Sequence, residues 1–282
     1  VIMTGDQDLS ANASSYTSLL DIIEESSCSY FAFVYGNHDE QGFFDKLFPI
    51  REGLKRSKCL NTYLDDDLFG DTNFVINIKD GANLAWQLYC LDSGSLNPGS
   101  FKIPYDVIHD EQISWYENQV KLAQQSNPNS KSLCYFHIPL WEFEYAYRHA
   151  YGKADESTPG KIRNFSGTMN EYPYEVEGLG TTQIFAGYKR TSFFEVAEKL
   201  GSTKAISVGH DHKNNFCAEY YLDESKKDDP IALCYGLKSG NGLSYRDDMQ
   251  GGNLIKINKD GTYSMHRANL DYSLNYSLEA LF

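Results

Sequence analysis

No apolar run in this chain approaches the ~20 residues that a bilayer-spanning helix needs. The longest stretches, such as Tyr30 to Tyr35, are far shorter. Basic residues are scarce: 25 Lys+Arg stand against 39 Asp+Glu, a net charge of −14. Binding along a duplex needs a cationic surface, so a nucleic-acid scaffold is excluded as the main partner. The six cysteines (Cys28, Cys59, Cys90, Cys134, Cys217 and Cys234) lack any CxxC spacing, which argues against a zinc ribbon or a thioredoxin-type dithiol. Internal repeats and low-complexity tracts are absent too.

What is present is a chain of 282 residues, 41% hydrophobic and 14% aromatic, enough for one large domain with a substantial core. Val1-Ile2-Met3-Thr4 reads as a buried strand already under way, so further residues are expected upstream. Strand-like and helix-like runs then alternate, the pattern of an α/β layer fold. Tyr16, Leu19, Leu20 and Ile23 share one helical face, and Ile113, Tyr116 and Val120 mark a second helix. A third is expected over 191–200. Strands are expected at Phe31–Val34, Asn83–Leu91, Leu133–Phe136 and Ala205–Val208, with strands only from Phe216 onward. Cys90 and Cys134 read as buried free thiols, and Cys217 and Cys234, on neighbouring strands, are candidates to pair. Segment 151–183, rich in Gly, Pro, Ser and acids, has no clear period and reads as a surface insertion.

Core strands end in polar, metal-capable residues. Gly5-Asp6 follows the first strand and Gly36-Asn37-His38-Asp39 the second. His137 follows Phe136, and Gly209-His210-Asp211-His212 follows Val208. Sites in α/β sheets form at the carboxyl ends of strands, so these groups are expected to converge. Each fragment alone is more often a turn or a core histidine; the conjunction of all four carries the signal. Oxygen and imidazole donors without thiolate suit ions such as Mn²⁺, Fe or Zn²⁺.

In these motifs, together with Phe136-His137-Ile138-Pro139-Leu140, Leu91-Asp92-Ser93-Gly94 and the helix start at Gln112, the sequence resembles the calcineurin-type metallophosphoesterases, most closely their purple-acid-phosphatase-like branch. The resemblance runs from Val1 to about Leu237 and implies a four-layer α/β/β/α sandwich with two divalent metal ions. It implies that Asp6 bridges the ions, that Asn37, His137 and His210 complete one site, and that His212 serves the other. His38 would donate a proton to the leaving oxygen, with Asp39 orienting its imidazole. A water held between two cations is acidified enough to attack phosphorus in line. The family's Asp-x-His before Gly5-Asp6 is not found, and Leu9 stands where purple acid phosphatases carry a ligating Tyr. The expected reaction is hydrolysis of phosphate monoesters, on a small phosphoester or a phosphoprotein. A phosphodiesterase or nucleotide hydrolase on the same scaffold is one alternative. A catalytically impaired pseudophosphatase that only binds or regulates is another. Among the remaining histidines, His109 is expected to face solvent, and Arg148-His149 to lie on the surface or to offer a cation or stacking surface to substrate.

Overall fold

Alternation along the strands explains how this chain layers. In the segment Leu133 to Phe136, Leu133 and Tyr135 point to one side of a sheet while Cys134 and Phe136 point to the other, and all four are buried. A strand with two apolar faces needs a layer on each side. The computed structural model describes residues 1–8, 12–39, 45–63, 68–97, 105–240, 249–270 and 276–282. Leu9, the acidic run at 65–67 and Asn275 lie outside them.

The chain begins with β1 (Ile2–Thr4), α1 (Ala13–Glu25), β2 (Ala32–Val34) and α2 (Phe48–Leu54). The antiparallel pair β3 (Phe74–Asp80) and β4 (Asn83–Cys90) follows, then α3 (Asp110–Ser126), β5 (Lys131–Tyr135) and α4 (Trp141–Ala150). Next come β6 (Lys161–Ser166), the short hairpin β7 (Tyr174–Val176) with β8 (Gly180–Thr182), α5 (Phe193–Leu200) and β9 (Thr203–Val208). The remaining strands are β10 (Cys217–Tyr221), β11 (Ile231–Tyr235), β12 (Gly251–Ile257), β13 (Tyr263–Leu270) and β14 (Tyr276–Ala280).

The large sheet has seven strands in the order β3-β4-β5-β9-β11-β10-β6, parallel from β4 through β11. One face carries Tyr89, Cys134, Phe136, Ile206, Val208, Leu233 and Tyr235 and packs under α3, α4 and α5. The other carries Trp86, Cys90, Leu133, Tyr135, Ala205 and Ala232 and meets Ala32 and Val34 of β2 and Met265 of β13. The far side of β2 (Phe31, Phe33, Tyr35) is covered by Tyr16 and Leu20 of α1 and Ile50 of α2. The order of layers is therefore α/β/β/α, as expected from the resemblance. No helix among the described residues is long and apolar enough to cross a membrane.

Local signals account for the element ends. The Asn12 side chain caps α1 by accepting the Ser14 N–H at 2.9 Å. Cys217 and Cys234 face each other in the β10–β11 register and are joined as a disulfide across these neighbouring strands of the large sheet, while Cys90 and Cys134 are free and buried. His109 departs from its expected exposure. It is the N-cap of α3, its N–H bonded to Gln112 Oε1 at 2.7 Å, and its half-buried ring stacks on Phe69 at 3.8 Å between centroids.

Segment 151–183 is more than a surface insertion, since β6 is the edge strand of the large sheet beside β10. An edge strand with one face in water keeps few apolar residues, which is why Lys161–Ser166 shows no clear period. Helix α4 was equally hidden. Its Glu142 and Glu144 are buried, paired with Arg190 and Arg148, so no polar stripe marks a solvent face. Those pairs tie Arg148 into the packing, where its Nη2 also donates to the Leu179 carbonyl at 2.6 Å.

Candidate metal centre

Four strand ends meet at one edge of the two sheets. After β1 the backbone turns sharply: Gly5 has φ +95° and Asp6 φ +53°. A side chain at Gly5 would collide with His137 Nδ1 and the Gly36 backbone, so these loops pack backbone to backbone. That close approach brings the Asp6 carboxylate under the loop after β2, where Oδ1 accepts the His38 N–H at 2.9 Å.

His137, at the end of β5, is the centre of the group. Its Nδ1 lies 2.7 Å from the Thr4 carbonyl, which sets that nitrogen as the donor and leaves the Nε2 lone pair facing the site. Around Nε2 stand Asn37 Oδ1 at 3.1 Å, His210 Nδ1 at 3.1 Å and Asp6 Oδ2 at 3.2 Å. Asp6, His137 and His210 have donor atoms all within 4.8 Å of one another. An ion bonded at ~2.1 Å puts neighbouring ligand atoms about 3.0–3.4 Å apart, so the spacing fits a divalent cation. Converging lone pairs with few protons between them would repel without one. Buried His210 Nε2 also has no hydrogen-bond partner among the described residues.

The electrostatics agree with a ligand set. Burial pushes the Asp6 carboxyl up, yet the His137 imidazole and the His38 N–H outweigh it and hold the group well below the usual carboxylate range. Burial, reinforced by His137, keeps His210 neutral, the form that binds metal. His212 is half-buried and stands outside the three-residue group; burial lowers its pKa, opposed by Glu171 and Asp6.

The other expected site residues fall out as follows. His38 is partly exposed, adjoining Asn37 and Asp39, which are buried. The Asp39 carboxylate is committed to backbone, not to an imidazole: it accepts the N–H groups of Asp6 (2.7 Å), Gly36 (2.8 Å) and Gln7 (2.8 Å). Its part is to fix the two ligand loops against each other.

Other participants lie outside the four strand-end motifs. Ser93 Oγ accepts the N–H groups of His137 and Ile138 at 3.3 and 2.9 Å, and Ser95 Oγ donates to the Asn37 carbonyl at 2.8 Å. Tyr105 sets the edge of its ring against His210 at 4.3 Å between centroids, with Phe185 beside both. Neither aromatic lies in a recognisable motif, and only the fold brings them here.

Curated proteins are similar to this chain in sequence. The chain is 27% identical over 223 residues to "Probable inactive purple acid phosphatase 29" of Arabidopsis thaliana, covering 72% of this chain and 49% of that protein. It is 25% identical over 227 residues to "Probable inactive purple acid phosphatase 14" of the same plant, covering 73% and 49%. Similarity to "Phosphatase DCR2" of Saccharomyces cerevisiae is 28% over 299 aligned positions, covering 95% of this chain and 45% of that protein. The chain is therefore similar to purple-acid-phosphatase-like proteins, as the motifs implied. No protein-family profile matches it. It spans about half the length of these purple-acid-phosphatase-like relatives. Asp6, His137 and His210 are a group able to hold a metal ion.

Proposed function

We propose that this chain carries the catalytic centre of a phosphatase that hydrolyses phosphate monoesters, on small phosphoesters or phosphoproteins, with two divalent ions of the Mn, Fe or Zn type. The observation that carries the proposal is the convergence of Asp6, Asn37 and His210 on His137 Nε2. Asp6, Asn37, His137 and His210 would hold one ion, with Asp6 and His212 contributing to the other. Such ions supply Lewis acidity toward the phosphoryl oxygens and acidify a water for in-line attack.

The chain's own residues do the rest. Asp6 is held ionised as a ligand, and the His38 N–H on its Oδ1 ties the ligand to the residue that faces substrate. The partly exposed His38 imidazole would give its proton to the leaving oxygen as the ester bond breaks. Asp39 keeps the loops of Asp6 and His38 in register through backbone N–H groups. Metal charge at the strand ends offsets the chain's −14 where an anionic substrate must approach.

A pseudophosphatase is the second reading, and the names of the Arabidopsis relatives favour it. Turnover of a nitrophenyl phosphate monoester and the matching diester, with Mn²⁺, Fe²⁺ or Zn²⁺ supplied, separates the readings. Monoester preference is the expected result. Diester preference would replace the substrate class, and metal uptake without turnover of either would select the binding protein.

A further inference from the structure

The segment leading from β6 to α5 is bonded to the loop that carries His210 and His212, residue by residue. Asn214, 2% exposed, is the hub. Its Oδ1 accepts the N–H groups of Asn170 and Glu171 at 2.9 and 3.3 Å. Its Nδ2 donates to the Gln183 carbonyl at 2.9 Å and to Asp211 Oδ2 at 2.8 Å. Glu171 returns the contact by accepting the Lys213 N–H at 2.8 Å. Further along, Thr168 and Asn215 exchange bonds, Thr168 N–H to Asn215 Oδ1 at 2.7 Å and Asn215 N–H to the Thr168 carbonyl at 3.0 Å. On the other side Asp211 accepts the Phe185 N–H at 3.2 Å and the Tyr235 hydroxyl at 2.5 Å.

The bonded positions are 211, 213, 214 and 215, on the loop that carries His210 and His212. His210 also sits at φ +71°, a left-handed conformation unfavourable for a non-glycine residue. Such a conformation persists only where the surroundings over-determine it. The bonds from 168–185 do that. Freed from them, the backbone at His210 would relax toward negative φ and carry Nδ1 away from His137.

We propose that segment 168–185 is a clamp that positions His210 and His212 for metal, with Asn214 as its central positioning residue. The proposal rests on the metal-centre reading above. It also implies reciprocity: if the clamp tightens metal binding, metal binding must tighten the clamp.

The test uses the full chain and Mn²⁺ alone. Affinity is measured by competition with a chromophoric chelator for the wild type, Asn214→Ala and Glu171→Ala, with circular dichroism of each. Partners that orient metal ligands typically contribute about 10–100-fold in affinity, and a loss of that size in both folded variants is expected. A purely structural role would lower melting temperature and leave the affinity of the folded chain unchanged. Amide hydrogen exchange of the wild type at Asn170, Glu171 and Phe185 should slow when Mn²⁺ is added. This measurement and Glu171→Ala carry the test if Asn214→Ala does not fold. Unchanged affinity in the folded variants, or exchange indifferent to Mn²⁺, overturns the clamp. A wild type that takes up no Mn²⁺ overturns the metal-centre reading, and the clamp with it.

Discussion

Asp39 holds the backbone of Asp6 from 33 residues away, its Oδ2 accepting the Asp6 N–H at 2.7 Å. The same oxygen accepts the Gly36 N–H, so one carboxylate joins the turns after β1 and β2. Asp39→Asn replaces an acceptor oxygen by an NH₂ group that confronts these donors. A loss of about 1–3 kcal/mol in urea unfolding is expected from the unpaired buried groups. Chelator competition should show metal binding weakened about 10–100-fold, since Asp6 is no longer held in place. If neither changes, Asp39 does not organise the loops.

Gly36 lies against Asp6 so closely that a Cβ would overlap its backbone nitrogen and its Oδ1. Neither is the free end of a flexible chain, so Gly36→Ala must displace the ligand loop. Overpacking of this kind costs about 1–3 kcal/mol. Thermal unfolding with and without Mn²⁺ checks it: the variant should melt lower and gain less from the metal than the wild type. An equal gain would show that Asp6 had kept its place.

His38 is assigned to proton transfer, and the structure involves its backbone, through the N–H on Asp6, in holding the centre together. His38→Ala should therefore keep its metal content while kcat falls about 10²–10⁴-fold. His137→Ala should instead lose metal, because its Nε2 is the point on which the other ligands converge. Elemental analysis beside monoester turnover distinguishes the two. Unchanged kcat for His38→Ala across the pH range removes the histidine from the mechanism.

The disulfide between Cys217 and Cys234 closes a loop with a sequence separation of 17. Restricting the unfolded chain over such a loop is worth about 3 kcal/mol in the chain-entropy account. Urea unfolding with and without reductant should show a loss of that order. A shift near zero would mean that packing of β10 on β11 already constrains the pair.

Native thiol labelling should discriminate among the four free cysteines. Cys134 is fully buried and its thiol is pushed up to about 12 by burial, and Cys90 is raised by burial with Cys134 adding to it. Since the thiolate is the reacting form, alkylation near pH 8 should spare both until the chain unfolds. Cys28 and Cys59 are partly exposed and should label first. Rapid native labelling of Cys134 would mean that the β5–α3 core opens readily.

The candidate metal motifs were legible because metal-capable side chains stand at strand ends: Gly5-Asp6, Gly36-Asn37-His38-Asp39, His137 and Gly209-His210-Asp211-His212 each follow an apolar strand. Strands that are short apolar runs, such as β5 and β9, and helices with one apolar face, such as α1 and α3, were legible too, since a local pattern suffices to specify them. Helix α4 and strand β6 were not. The acids of α4 are neutralised by partners distant in sequence, and β6 takes its strand character from β10.

The sequence by itself determined the family resemblance, the layer type and the chemical nature of the donor atoms, because those follow from residue identity and periodicity. Tertiary structure alone decided that Asp39 serves backbone amides, that Tyr105 and Phe185 flank His210, and that Asn214 binds the ligand loop to segment 168–185. These are contacts across 25 or more residues between ordinary polar or aromatic side chains and either backbone groups or other rings. Nothing in the local sequence of either partner marks the other, and the physical reason is that such contacts depend on how the strand ends are brought together in space.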